Sequence, residues 1–103
     1  MTQTERITLM ENYSDEAAQT LKAFAEALRA YRDVQPKLLT LAEYSAGPDW
    51  RNDFTDDEAG KLPQNLKRGV LSEDSLYNLL SENTALLSET LEVIAEILKG
   101  GRF

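Results

Sequence analysis

The sequence predicts an all-α protein: a small helical bundle of two long helices and one short helix, with a long irregular loop before the last helix. Three observations carry this. Apolar residues recur at steps of three and four near both ends of the chain. Pro36, Gly47-Pro48 and Gly100-Gly101 punctuate those patterns. Between the patterned ends, residues 48–71 show no sustained period.

The first helix is expected over residues 3–33. Thr2 and Glu5 have the spacing of a capping box, in which each side chain satisfies an amide at a helix start. Ile7, Met10, Tyr13, Ala17, Leu21, Phe24, Leu28 and Tyr31 then share one face. Pro36 removes an amide and disfavours helical geometry at Gln35, so the helix is expected to stop or kink there. A short second helix follows over 37–46, with Leu38 and Leu41 facing inward, and Gly47-Pro48 ends it.

An irregular loop is expected over 47–72, with a helical turn near Asp56–Gly60. The stretch Tyr44–Asp74 holds the only Trp, two of the three Pro and three of the five Gly. Ser72 then suits a helix cap, and Glu73 and Asp74 suit the positive end of the helix dipole. Leu71 and Leu76 fit a hydrophobic staple around that start. The last helix is expected over 73–99, on a stripe of Leu76, Leu80, Asn83, Leu87, Thr90, Ile94 and Ile97. Leu79, Leu86, Leu91, Val93 and Leu98 widen that face enough to contact two neighbours. Gly100-Gly101 ends it, and residues 100–103 form a loose tail.

At 103 residues the chain is expected to form a single domain over 1–103. Zero Cys excludes a disulfide framework and fits a reducing compartment. The start Met1-Thr2-Gln3-Thr4-Glu5-Arg6 does not resemble a signal peptide, so a cytoplasmic location is expected, with no membrane partner. The net charge of −7 argues against direct nucleic-acid binding, because phosphate affinity comes mainly from Lys and Arg. Residues 72–103 are the acidic part, with 6 acidic and 2 basic groups.

Catalytic constellations are scarce. With no His and no Cys there is no Ser-His-Asp or Cys-His nucleophile and no ordinary zinc site. Gly60-Lys61 lacks the preceding glycine of a phosphate loop. Asp53, Thr55 and Asp57 are spaced like the start of a calcium loop, but the following Gly is misplaced and no Glu closes it. The expectation is a protein that is not an enzyme and takes no metal and no cofactor.

Tyr44, Trp50, Asp53, Lys67 and Arg68 are the candidate binding residues. Trp50 serves either as a lid on the core or as an interface anchor. Asp53 is expected to accept backbone amides or to pair with Arg51, Lys67 or Arg68. Exposed amides at Ser72-Glu73-Asp74 could alternatively hold an anion, although two acidic residues oppose it. Glu82, Glu89 and Glu96 recur every seven residues beside the last helix's stripe, and Lys22 and Arg29 share that spacing on the first. Such flanking charges commonly pair across a helix interface.

The motifs resemble a family of short bacterial proteins, the domain-of-unknown-function family 4298. Its first motif, Tyr-Tyr-x-Ser-x-x-Trp-x-x-Asp, is matched by Tyr44, Trp50 and Asp53, with Ser45 and Gly47 departing from it. The second, Cys-Gly-Val-Leu-Ser-Glu-Asp, is intact from Gly69 to Asp74, with Arg68 in place of Cys. The resemblance implies a bacterial, cytoplasmic helical protein and brings no activity with it. The expected function is therefore a protein-interaction or regulatory module using the face around Trp50, with an unknown protein partner and self-association into a homo-oligomer. The alternatives are an acidic decoy for a basic nucleic-acid-binding protein and a small-ligand-binding domain.

Overall fold

A computed structural model describes residues 1–101. Among them are three α-helices and no strand: α1 (Gln3–Ala46), α2 (Pro48–Glu58) and α3 (Ser75–Lys99). A single 3-10 turn, Gly69–Leu71, precedes α3. Packing divides the chain into two units, Met1–Pro36 and Lys37–Phe103.

The first unit is helix. Its start is the expected cap: the Glu5 amide donates to Thr2 Oγ1 at 3.1 Å, and the Thr2 hydroxyl donates to Glu5 Oε1 at 2.9 Å. Ile7, Met10, Tyr13, Leu21, Phe24 and Leu28 keep 50–67% of their surface exposed.

Pro36 corrects the sequence reading. Helices ending at 33 and restarting at 37 were expected, yet α1 is assigned continuously through Pro36 to Ala46. Pro disfavours helix at the residue before it but does not forbid it. Good helix formers lie on both sides, and the Gln35 side-chain amide donates to the Tyr31 carbonyl at 3.0 Å one turn back.

The second unit holds the core. Among the described residues two side chains, Leu71 and Leu76, are buried, at 6% and 5% exposure. These are the expected staple residues, and the 3-10 turn carrying Leu71 packs against both α2 and α3.

The loop expected over 47–72 is also corrected, because its first half is α2. Pro48 occupies the first turn, where its missing amide costs nothing. Gly47 is extended (φ −98°, ψ 175°) rather than left-handed, and the reason for glycine there is close approach. A Cβ at Gly47 would lie 3.1 Å from the Glu43 carbonyl oxygen. The far end of α2 closes on Gly60 at φ +72°. The Gly60 amide donates to Asp57 O at 3.0 Å and the Lys61 amide to Asp56 O at 2.9 Å. That pair of bonds is a Schellman stop.

The start of α3 differs in detail. Ser72 was expected to cap it, but Asp74 holds the cap position and makes no side-chain cap bond. The Ser72 hydroxyl instead donates to the Gly69 carbonyl at 3.1 Å and closes the 3-10 turn. Beyond Lys99 the Gly100 amide bonds to Glu96 O and Ile97 O, and Gly101 is left-handed at φ +61°. Arg102 and Phe103 of the expected tail lie outside the described residues.

Candidate functional site: the groove beside Trp50

Trp50 and Phe54 sit one turn apart on α2, so their rings share a face; they stack with centroids 5.1 Å apart and planes 14° off parallel. Trp50 is half-buried, and its indole Nε1 donates to the Val70 carbonyl at 2.9 Å. An indole N–H must find an acceptor when its ring is covered, and here that acceptor is the 3-10 turn. The bond therefore ties α2 to the segment that carries buried Leu71.

Two further bonds brace the same region. The Tyr44 hydroxyl donates to Asp53 Oδ2 at 2.6 Å, linking the end of α1 to α2. Partial burial, then the hydrogen bond to Asp53, then the nearby Asp53 and Asp49 charges push the Tyr44 phenol up to about 12. Each of these causes disfavours a phenolate. Arg68 bonds to Asp57 Oδ1, to the Pro63 carbonyl and, through Nε at 3.3 Å, to the Leu66 carbonyl. One guanidinium thereby pins the turn over 63–68 to α2.

The five candidate residues thus do not converge on one point. Tyr44 pairs with Asp53, Trp50 reaches Val70, and Arg68 takes Asp57. Asp53 is held by Tyr44 rather than by the basic residues expected. Lys67 is exposed in the connecting segment. Of the five, only Trp50 lines the open groove beside it.

That groove has a volume of about 430 Å³. Trp50 and Ser45 line it together with Leu76, Tyr77, Leu80, Ser81 and Thr84 of α3 and with Ser72 and Glu73 just before that helix. Apolar rings and hydroxyls dominate the lining, and Glu73 is its one ionisable carboxylate. The α3 wall escaped sequence reasoning because Tyr77, Ser81 and Thr84 belong to no motif. Their spacing at steps of three and four was the available signal.

The two sequence motifs meet here. Tyr44, Trp50 and Asp53 of the first bond to each other or to Val70 of the second, and the second closes on itself through Ser72 and Gly69. The profile of the domain of unknown function family DUF4298 matches residues 7–93. This protein belongs to that family. The two motifs of this DUF4298 chain are thereby seen as mutual contacts beside one groove. No curated protein and no solved structure matches the chain.

Among the described residues no helix is long and apolar enough to cross a membrane. No group of three or more His, Cys, Asp or Glu among them is arranged to hold a metal ion.

Proposed function

We propose that this protein is a non-enzymatic interaction module whose binding face is the groove beside Trp50. The observation that carries this reading is the groove itself: an aromatic and aliphatic cleft with hydroxyls along its walls. Such a lining suits a partner segment that inserts an apolar or aromatic side chain, flanked by a basic residue facing Glu73. Trp is the residue type most often found as an energetic anchor at interfaces. The non-enzymatic part of the reading is supported by how the polar side chains are used. Tyr44, Asp53, Asp57 and Arg68 bond to protein partners, and none of them lines the groove. The same reading takes the protein to work in a bacterial cytoplasm, to which a chain with zero Cys is suited.

The test is site-specific photocrosslinking in the native host. A photoreactive phenylalanine derivative replaces exposed Tyr77 at the groove, and, as control, exposed Asn52 on α2. The expected result is a defined adduct from position 77 that is absent from position 52 and lost when Leu80→Glu is added. Identical adducts from both positions, or none from 77, would overturn the reading.

A further inference from the structure

The hydrogen-bonding state of the groove's lining identifies what a partner must present, an inference that rests on the groove being the binding face. The Ser45, Ser72 and Thr84 hydroxyls line it and donate to the carbonyls of Ala42, Gly69 and Leu80, at 2.9, 3.1 and 3.2 Å. A hydroxyl has one proton and two lone pairs, so each is left with acceptor capacity alone. The ionised Glu73 carboxylate is likewise an acceptor only. The Ser81 and Tyr77 hydroxyls keep their protons, but each accepts equally well.

Trp50 offers no donor either. Its Nε1–H is held by the Val70 carbonyl and its ring is stacked on Phe54, so what it leaves to a ligand is π surface. The face of an aromatic ring is electron-rich and attracts cations. Tyr77, 73% exposed, supplies a second ring, and no Lys or Arg is among the lining residues. The amide end of α3 brings roughly half a positive charge to this region, which Glu73 and Asp74 together offset. The lining is thus acidic, aromatic and rich in acceptors.

We propose that the groove takes an arginine side chain from a basic partner segment. Its guanidinium donates to Glu73 and to the hydroxyl oxygens, its flat face lies along an aromatic ring, and an apolar neighbour in the segment covers Leu80. Arginine suits this lining better than lysine because its planar fork carries five donors, stacks on rings and is more weakly hydrated. An acidic or phosphorylated segment would bring acceptors to acceptors and negative charge to Glu73. The net charge of −7 favours encounter with a basic partner over either of these.

The test selects partners without assuming their sequence. A randomised Trp-free peptide library displayed on phage is panned against the full chain, with counter-selection on Ser81→Phe, whose added ring obstructs the groove from an exposed position. Circular dichroism checks that this variant remains helical. Enriched peptides are then titrated while reading the emission of Trp50, the one Trp of the chain. They are expected to carry Arg beside an apolar residue and to shift that emission saturably. Replacing the Arg by citrulline, which keeps the shape and removes the charge, should weaken binding about tenfold. Glu73→Gln, at an exposed position, should weaken the Arg peptide about tenfold and leave the citrulline peptide unchanged. Enriched peptides without Arg, or ones indifferent to citrulline, would overturn the proposal and leave the groove standing as the binding face. A selection yielding no peptide sensitive to Ser81→Phe would overturn both.

Discussion

The segment from Tyr44 to Leu76 and the helix over residues 1–36 hold their shapes by different means. In the first, contacts join residues far apart in sequence: Trp50 reaches Val70 across 20 residues and Arg68 reaches Asp57 across 11. In the second, the bonds from Thr2 to Glu5, Arg32 to Asp33 and Gln35 to Tyr31 join residues at most four apart. A helix supported only by local bonds is marginal in water, because most helical stability in proteins comes from a covered apolar face. One region is fixed by tertiary contacts; the other is braced by bonds within a helical turn.

Breaking the fixed region gives the largest effect. Leu76→Ala removes one of two buried side chains and is expected to destabilise the unit by about 2–5 kcal/mol, read from the urea transition of Trp50 emission. Changing the local region works in the opposite direction. Pro36→Ala restores an amide inside α1 and should raise helicity and stability by up to about 3 kcal/mol. An unchanged circular dichroism signal and melting midpoint would show that the helix does not run through Pro36.

Smaller changes separate the individual bonds. Trp50→Phe keeps an aromatic ring but leaves the Val70 carbonyl without its donor, at a cost of about 1–3 kcal/mol. Asn78→Ala, on the exposed surface of α3, is the control and should shift the midpoint by less than about 0.5 kcal/mol.

Tyr44→Phe should cost about 0.5–1 kcal/mol at neutral pH, since only one partly exposed hydrogen bond is lost. Its pH dependence follows from the raised phenol. The neutral hydroxyl is favoured in the fold, so its contribution is complete below the ordinary value of 10 and is lost as pH rises towards about 12. The difference in urea midpoint between wild type and variant should therefore stay constant up to pH 10 and shrink above it. Ultraviolet titration should show one of the four tyrosines ionising late.

The same contrast explains what the sequence disclosed. The start of the first long helix and the end of the last were legible because a capping box and a glycine stop are local signals, as at Thr2–Glu5 and Lys99-Gly100. Helix α2 was not, since Trp50 and Phe54 are its only large apolar residues and five of its eleven are acidic. Its boundary signals were present nonetheless. Gly47-Pro48 was taken as the end of one helix when it is equally the start of the next, and Gly60 marked the far stop. At Pro36 the local rule was outweighed by helix formers on either side. Of the candidate site, Trp50 was legible as a singular residue. Asp57 as the partner of Arg68 and the α3 wall of the groove depend on tertiary placement, to which composition and motif spacing are blind.

Hydrogen–deuterium exchange on the full chain tests this contrast directly. Amides of the 3-10 turn and the first turns of α3 should be protected. Those over residues 7–31 should exchange faster. Protection of residues 7–31 equal to that of the 3-10 turn would contradict the account, because that helix would then be held by more than bonds within its own turns.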